Sequence, residues 1–257
     1  MKVLFLGSGT STGVPVIGCR CEVCTSSDPR NKRLRSSVLV RTESTTLLVD
    51  SSPDLRRQAL RHGLTAIDAV LYTHEHLDHT AGFDELRAFC WHRADRLPLY
   101  AGEGCMATLR RMYPWAFDTS HEYKGYVRPA AHCHAGKPFC IGDVQVTPVP
   151  VLHATVETYG YVFLSGGSSF GYLPDVKELP ESSKPLLQGL SVLAMDGLCY
   201  PGHRTHLSID ENVALMRELS PERGLVTHSG HGLEYRQLAN YLPPFMQPAY
   251  DGLEVIL

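Results

Sequence analysis

The chain of 257 residues contains no apolar run that approaches the roughly 18–20 residues needed to cross a bilayer. It also lacks an excess of charge of one sign, since 24 Lys and Arg face 27 Asp and Glu for a net charge of −3. That balance argues against wholesale nucleic-acid binding. Residues 1–7 carry one positive charge and too short an apolar stretch for a signal peptide, so we expect a first β-strand there. These absences predict a soluble, cytoplasmic protein.

Internal repeats, low-complexity tracts and linker-like segments are also absent, so we expect residues 1–257 to form a single domain. Strand and helix patterns alternate along the chain, with hairpins predicted at 37–49 and 159–172 and a helix at 82–92. Residues 120–137 are irregular and polar and predict a loop or lid. The mixture of hairpins and helices indicates an α/β class with mixed rather than purely parallel sheets.

Histidine is abundant, with thirteen residues, and four potential ligands cluster within six positions directly after the strand-like segment 69–72. At a strand end, His74 and His76 share a side and can bind one cation. Where the chain then turns into a helix, Asp78 and His79 can point to a second cation beside the first. A pair of metals about 3.5–4 Å apart is the arrangement that activates water and holds a group undergoing hydrolysis. The alternative is a polar surface turn that happens to be rich in histidine.

Four further residues follow other predicted strands: Asp50, His153, Asp175 and His228. Functional side chains of layered α/β folds gather just past strand ends. Asp175 suits a bridging position because a carboxylate has two oxygens, and Asp50 is expected to hold a ligand histidine by a hydrogen bond. One such residue alone would indicate little, but four of them together with the histidine cluster predict a shared metal site.

A second cluster places Cys19, Cys21 and Cys24 within six residues near the start of the chain. The spacing C-x-C-x-x-C is tight enough for one tetrahedral Zn²⁺ with a single ligand missing. A disulfide between the first two thiols would be strained and would leave the third unpaired. His231 is the best candidate for the fourth ligand, because it follows His228 by three positions.

The run T-H-E-H-L-D-H at 73–79, followed by a lone His, a lone Asp and a last His, resembles the metallo-β-lactamase superfamily. The resemblance implies an αβ/βα sandwich, in which two mixed β-sheets face each other, helices cover the outer faces and metals lie at one edge. It implies that one divalent metal is held by His74, His76 and His153. It implies that the other is held by Asp78, His79 and His228, with Asp175 bridging the two.

The loop L-G-S-G-T-S-T-G-V-P at 6–15, followed by the cysteine cluster, is similar to one branch of that superfamily. This branch contains the phosphodiesterase of the carbon–phosphorus lyase pathway and the pyrroloquinoline-quinone biosynthesis protein B. The resemblance implies a structural Zn²⁺ held by Cys19, Cys21, Cys24 and His231. It also implies two active-site cations, Zn²⁺ or Mn²⁺, and suggests a homodimer. The glycine loop alone is weak support, since it lacks the G-K-[ST] of a phosphate-binding P-loop.

The resemblance further implies a metal-dependent hydrolase, and we favour a phosphodiesterase for cyclic or small nucleotide-like phosphodiesters. A hydroxide activated by two metals would attack phosphorus, with Asp78 and His206 as the candidate catalytic residues. His206 precedes a predicted helix whose N-cap is Ser208, and it matches the histidine that protonates the leaving oxygen. His203 is a rival proton donor, and Arg204 is a candidate phosphate contact.

Several alternatives keep the fold but change the substrate: a lactonase, a thioester hydrolase, a tRNA 3′-end nuclease or a cofactor-biosynthesis protein resembling the quinone protein B. The nuclease would need a long basic arm, whereas residues 120–137 are short and carry few basic side chains. Nucleic acid is therefore not the expected partner, and a small-molecule phosphodiester is. A metal-binding protein without catalysis is the alternative from another class.

Overall fold

The structure is a computed structural model that describes residues 1–120, 123 and 125–257. Within these residues the strands are β1 (Lys2–Gly7), β2 (Ser37–Arg41), β3 (Thr46–Val49), β4 (Ala69–Leu71), β5 (Leu97–Ala101), β6 (Pro129–Cys133), β7 (Phe139–Ile141), β8 (Val144–His153), β9 (Val156–Ser165), β10 (Ser168–Leu173), β11 (Val192–Asp196), β12 (Arg223–Thr227), β13 (Met246–Pro248) and β14 (Glu254–Ile256). The α-helices are α1 (Glu22–Thr25), α2 (Leu55–Arg61), α3 (Leu77–Thr80), α4 (Arg87–Cys90), α5 (Glu103–Met112), α6 (Pro114–Phe117), α7 (Ile209–Leu219) and α8 (Tyr235–Tyr241).

The strands form two seven-stranded mixed sheets, in the orders β14-β1-β2-β3-β4-β5-β6 and β13-β12-β11-β10-β9-β8-β7. In the first sheet β3, β4, β5 and β6 are parallel neighbours, and in the second β10, β11, β12 and β13 are. Strand β8 pairs antiparallel with β9, which pairs antiparallel with β10, so β8 and β10 run in the same direction. The carboxyl ends of these parallel strands therefore meet at one edge of each sheet.

Apolar side chains are buried on both faces of both sheets, which explains why the strands read as nearly continuous apolar runs. In β1, Val3 and Phe5 belong to the core between the two sheets, while Leu4 and Leu6 belong to the core beneath the helices that cover the first sheet. A third core lies between the second sheet and its helices. This arrangement confirms the αβ/βα sandwich with two mixed sheets and helices on the outer faces. No helix in the described part of the chain has both the length and the apolar composition to span a membrane.

Two local predictions differ from the structure. The helix predicted at 82–92 is instead a 3₁₀ turn at Phe83–Leu86 followed by the short α4, a tightening that is common near helix ends. The loop predicted at 120–137 is wrong for Pro129–Cys133, which forms β6 at the edge of the first sheet. The sequence P-A-A-H-C lacks strand alternation, and a proline is tolerated at the start of an edge strand. His121, Glu122 and Lys124, also part of that prediction, lie outside the described residues.

A buried carboxylate, Asp251, ties the segment before β14 to the loop that follows β1. Its Oδ1 accepts hydrogen bonds from the amide nitrogen of Ser8 at 3.0 Å and from Ser8 Oγ at 2.9 Å. Its Oδ2 accepts one from the Leu34 amide at 2.7 Å. Burial raises the pKa of Asp251 to about 6, and these hydrogen bonds offset only part of that effect.

The raised pKa of Asp251 predicts a pH-dependent contribution to stability. Because the folded protein holds this proton more tightly than the unfolded chain, the contribution is present at low pH and is lost as pH rises through about 6. Relative to Asp251→Asn, which cannot titrate, the free energy of unfolding of the wild type should fall by about 1 kcal/mol between about pH 5 and about pH 7.5. Urea unfolding of both proteins at the two pH values measures this difference, and a constant difference would contradict it.

Candidate metal centre

The predicted ligands follow strands whose carboxyl ends share one edge of the sandwich. Asp50 and His74 come after the parallel strands β3 and β4 of the first sheet. Asp175 and His228 come after β10 and β12 of the second sheet, and His153 is the last residue of β8. The backbone of Asp50 has φ 62° and that of His228 has φ 56°. A left-handed backbone at residues other than glycine is uncommon and concentrates at functional sites.

Three histidine nitrogens from both sheets face one point. His74 Nε2 lies 2.9 Å from His76 Nδ1, and His153 Nε2 lies 3.3 Å from the same atom. The other nitrogen of His153, Nδ1, donates a hydrogen bond to the carbonyl oxygen of Thr205 at 2.8 Å. Because a carbonyl only accepts, Nδ1 carries the proton and Nε2 presents a lone pair to the group. This trio has the geometry of a cation site.

A second group of ligand atoms comes from Asp78, His79 and His228, and Asp175 lies between it and the first. His79 Nε2 is 3.2 Å from Asp78 Oδ2 and 3.1 Å from Asp175 Oδ2. The same Asp175 oxygen is 3.4 Å from His228 Nδ1, while its Oδ1 is 3.6 Å from His153 Nε2. One carboxylate therefore faces both groups, with one oxygen toward each.

Asp50 orients His79 from behind. Its Oδ2 lies 2.7 Å from His79 Nδ1, and the carboxylate also accepts hydrogen bonds from the amide and the hydroxyl of Thr73. Burial raises the pKa of Asp50, although His79 and the Thr73 bonds oppose that shift. The hydrogen bond to Asp50 occupies Nδ1, so His79 Nε2 is the nitrogen that faces Asp78 and Asp175.

Several buried nitrogen and oxygen atoms of these residues have no hydrogen-bond partner within the described part of the chain, which bears on whether the residues suit a cation. His79 Nε2, Asp175 Oδ2 and both ring nitrogens of His228 are buried and have no hydrogen-bond partner among the residues that the structure describes. Leaving such groups unpaired is costly, and native proteins rarely do so without a ligand. His79 Nε2 and His228 Nδ1 both face Asp175 Oδ2, at 3.1 Å and 3.4 Å. Two divalent cations fit the donor set of imidazoles and carboxylates.

The electrostatics of the centre also favour positive charge. Burial would lower the pKa of His79, but the carboxylates of Asp175, Asp78 and Asp50 outweigh it and hold that pKa well above its usual range. Burial would likewise raise the pKa of Asp175, but His228 and His79 keep it well below its usual range. Burial lowers the pKa of His228 to about 4, and the nearby carboxylate of Asp175 offsets only part of that effect. Its imidazole is therefore neutral and able to act as a ligand.

The cysteine cluster forms a separate group together with His231. Cys19 Sγ and Cys21 Sγ lie 3.3 Å and 3.5 Å from His231 Nδ1, and Cys24 Sγ belongs to the same group of four ligand atoms. The hydrogen bond from the Cys24 amide, together with the one to His231, lowers the pKa of Cys21 to about 6. Thiolate is the form that binds metal, so this group suits a tetrahedral Zn²⁺.

His206 lies over the metal centre and is held by Asp196. Its Nδ1 is 2.7 Å from Asp196 Oδ2, and its ring centroid is 5.0 Å from that of His228 and 4.7 Å from that of His153. Burial lowers the pKa of His206, but the hydrogen bond to Asp196 outweighs it and raises the pKa above its usual value. Burial raises the pKa of Asp196 to about 7. The rival, His203, is exposed, with its ring centroid 5.3 Å from that of His206.

A family profile described as a beta-lactamase superfamily domain matches residues 45–229, more than half of the chain. The chain belongs to the metallo-β-lactamase superfamily. A solved structure described as a new diphosphatase from the PhnP family shares 37% sequence identity with it and superimposes with a TM-score of 0.91. That superposition covers 99% of this chain and 96% of the other. The similarity lies in the branch of the superfamily that the glycine loop and cysteine cluster indicated.

Two other proteins are similar to this metallo-β-lactamase chain, one in sequence and one in structure. An octanoyltransferase of Porphyromonas gingivalis is 35% identical over the whole chain, which spans only about half (52%) of that protein. The structure of the Zn²⁺-bound PqqB of Methylobacterium extorquens superimposes on this chain with a TM-score of 0.82, over 100% of both chains. The two sequences are 23% identical, a likeness that shows the shared fold. Metallo-β-lactamase folds generally bind divalent metals, in line with the two ligand groups described above.

The structure brings together every residue predicted from the sequence for this metallo-β-lactamase centre. The seven candidate cation ligands lie close together, and Asp50 contacts His79. The three cysteines lie next to His231, and His206 lies next to His153 and His228. Sequence reasoning missed Asp196, whose position at the end of β11 repeats the pattern of acids that follow buried strands. It also missed the Thr205 carbonyl that orients His153, for which the sequence holds no signal. His206 shares a further group of possible ligand atoms with His153 and Asp175.

Proposed function

We propose that this metallo-β-lactamase-fold hydrolase is a phosphodiesterase that acts on cyclic or small nucleotide-like phosphodiesters. One observation carries the proposal: two ligand groups joined by Asp175 lie directly beneath a histidine held by a buried carboxylate. A pair of cations next to a proton donor is an arrangement that stabilises the attacking and the leaving oxygen of an in-line displacement at phosphorus. The likeness to a diphosphatase, an enzyme whose substrates also contain phosphorus–oxygen bonds, supports the same reaction class.

The residues are proposed to hold two divalent cations, Zn²⁺ or Mn²⁺. His74, His76 and His153 would hold the first, and Asp78, His79 and His228 would hold the second, with Asp175 between them. When bound, such cations supply Lewis-acid chemistry, which lowers the pKa of water and neutralises charge on phosphate oxygens. The protein sets the direction of each ligand: Asp50 aims Nε2 of His79 inward, and the Thr205 carbonyl does the same for His153.

His206 is proposed as the general acid. Asp196 occupies its Nδ1, so Nε2 is the nitrogen left to give a proton to the leaving oxygen as the phosphorus–oxygen bond breaks. The hydrogen bond to Asp196 raises the pKa of His206 and so favours the protonated ring, whereas burial lowers the pKa of His203. His203 is therefore the weaker donor. Arg204, which is exposed and lies between His203 and His206 in the sequence, is proposed to contact phosphate.

Hydrolysis of bis(p-nitrophenyl) phosphate and of a 2′,3′-cyclic nucleotide tests the proposed reaction. Metal-depleted protein should be inactive, and added Zn²⁺ or Mn²⁺ should restore turnover in proportion to the cations bound. A mononucleotide product that retains one phosphate would identify a diesterase. Full loading with cations and no turnover of either substrate would favour a metal-binding protein without catalysis.

Replacing Asp196 tests the positioning of the acid. In Asp196→Asn the amide oxygen still accepts from His206 Nδ1, but the negative charge that favours the protonated ring is lost. We expect kcat to fall by about 10–100-fold with cation content unchanged. Metal analysis and steady-state kinetics on the same preparation measure both. Asp210→Asn is the matched control, because Asp210 is exposed on α7. Normal kcat in Asp196→Asn would remove this role from Asp196.

A thioester hydrolase is the second candidate function, and the specific observation behind it is the 35% identity to an octanoyltransferase. Because this chain spans about half of that protein, the shared part need not be the part that handles the octanoyl group. Octanoyl-coenzyme A and p-nitrophenyl octanoate, assayed beside the phosphodiesters, distinguish the two. Faster cleavage of the acyl substrates, judged by kcat/KM, would favour the thioesterase.

The group of Cys19, Cys21, Cys24 and His231 is proposed to hold a structural Zn²⁺. A thiolate-rich site prefers Zn²⁺ over Mn²⁺ because of its softness. Metal analysis of protein prepared with Mn²⁺ should therefore find about one Zn²⁺ retained. The homodimer implied by the family resemblance stays a prediction, which the molar mass in solution measures.

A further inference from the structure

Arg33 is a buried arginine that the proposed reaction does not use. Only 2% of its side chain surface is exposed, and it is the largest fully buried side chain of the described residues. Its Nη1 donates to the Gly230 carbonyl at 2.8 Å, and its Nη2 donates to the Leu233 carbonyl at 2.6 Å and to Asn31 Oδ1 at 3.2 Å. No carboxylate pairs directly with it in the described part of the chain. Burying a guanidinium charge that is paired only with neutral oxygens is costly, so we expect this arginine to have a specific role.

The segment to which the Arg33 guanidinium donates hydrogen bonds connects the second group of cation ligands with the cysteine cluster. Gly230 lies between His228, a ligand of the second cation site, and His231, a ligand of the thiolate site. The same segment is fixed from other sides, because the Ser229 amide donates to the Ser8 carbonyl and the Gly230 amide donates to the Leu198 carbonyl, each at 3.0 Å. Hydrogen bonds from Arg33 and to Ser8 and Leu198 therefore hold the backbone between His228 and His231, which sets the positions of the two histidines relative to each other.

The backbone of Arg33 is connected to the cysteine cluster as well. Its amide and carbonyl exchange hydrogen bonds with those of Val14 at 2.8 Å each, and the neighbouring Val16 amide donates to Cys24 Sγ at 3.3 Å. Gly9 packs so closely that an added Cβ would lie 2.8 Å from the Cβ of Arg33. The backbone of Arg33 is therefore linked to the cysteine cluster through Val14 and Val16, and its guanidinium binds the backbone between His228 and His231.

Charge points the same way. Beside the larger effects of Asp251 and Glu234, a negative charge on Cys24 favours the positive guanidinium of Arg33. Burial lowers the pKa of Arg33 to about 10, so the guanidinium stays positive at neutral pH. Cys24 is therefore linked to Arg33 both by this charge and by the backbone hydrogen bonds through Val14 and Val16.

We propose that Arg33 is a positioning residue that couples the thiolate site to the cation site of His228, so that filling the first raises the affinity of the second. The coupling rests on the ligand assignments proposed above and not on the phosphodiesterase activity. By linkage, the second site raises the affinity of the first by the same factor. In this protein the cysteine cluster therefore does more than stabilise a loop.

Cation binding to the wild-type protein tests the coupling without any substrate. One equivalent of Cd²⁺ fills the thiolate site, as its thiolate charge-transfer absorption reports, and Mn²⁺ is then titrated while electron paramagnetic resonance follows the free ion. We expect Cd²⁺ to raise the Mn²⁺ affinity by about 5-fold or more. Equal Mn²⁺ affinity with and without Cd²⁺ would overturn the proposal, whatever the variants do.

Three variants assign the coupling to Arg33. Arg33→Met removes charge and donors, and should lower Mn²⁺ affinity by about 10–100-fold and abolish the effect of Cd²⁺. Arg33→Lys keeps the charge but replaces the two-pronged guanidinium with one nitrogen, and should retain part of the coupling. Arg35→Met is the matched control, because that guanidinium bonds to Asp54 and the Ser11 carbonyl instead.

The outcomes separate this inference from the proposed function. If Arg33→Met does not fold, judged by circular dichroism, Arg33→Lys and the wild-type titration still decide. Coupling that persists unchanged in Arg33→Lys and in folded Arg33→Met would mean that Arg33 does not carry it. Coupling in a protein that hydrolyses no phosphodiester would refute the function alone.

Discussion

Replacing His206 by alanine should lower kcat by about 10²–10⁴-fold while both cation sites remain filled. The ring supplies the proton for the leaving oxygen. Its removal leaves the Val176 amide as the hydrogen-bond donor to the Asp196 carboxylate and takes no nitrogen from the two proposed ligand groups. KM should change little, because the donor acts as the bond breaks. Steady-state kinetics and metal analysis on one preparation measure both quantities.

The leaving group provides a sharper criterion. p-Nitrophenolate departs without a proton, whereas an alkoxide such as a ribose oxygen needs one. The loss in His206→Ala should therefore be at least about 10-fold smaller for bis(p-nitrophenyl) phosphate than for a cyclic nucleotide. His203→Ala is the matched control and should retain near-normal kcat on both substrates. Loss of a cation in His206→Ala would instead make His206 a ligand, together with His153 and Asp175, and the acid role would be wrong.

Replacing Asp175 by alanine should have the largest effect on metal binding. This carboxylate is 2% exposed and faces His79, His228 and His153 within 3.1–3.6 Å. Without it the two ligand groups lose their shared oxygens and the charge that offsets two cations in a buried space. We expect cation affinity to fall by at least about 100-fold and turnover to fall with it.

Two further variants sharpen the Asp175 result. Asp175→Asn keeps the shape and removes the charge, so it should bind cations less well than the wild type but better than Asp175→Ala. Asp143→Ala is a control at an exposed aspartate whose carboxylate accepts hydroxyl hydrogen bonds from the turn between β2 and β3 and from Ser165. Elemental analysis after dialysis reports occupancy for each. Full occupancy together with full rate in Asp175→Ala would refute the bridging position.

The parts of this protein that the sequence predicted are those set by neighbouring residues. Helix α7 begins at Ile209 after the predicted N-cap Ser208, since Ser208 and Glu211 satisfy each other's backbone amides within one turn. The ligand spacing of the histidine cluster and of the cysteine cluster is equally local. By contrast, β6 gave no alternation to detect, because its strand character comes from pairing with β5 rather than from its own side chains.

The chemistry of the ligands, their spacing in each cluster and the superfamily were determined by the sequence alone, because residue type and short-range spacing are properties of the chain itself. Only the tertiary structure decided which further residues contact those ligands. Three hydrogen bonds depend on how the edges of the two sheets lie against each other. They join Asp196 to His206, His153 to the Thr205 carbonyl, and Arg33 to the Gly230 carbonyl. Such contacts depend on the packing of both sheets at once, and no local pattern records them.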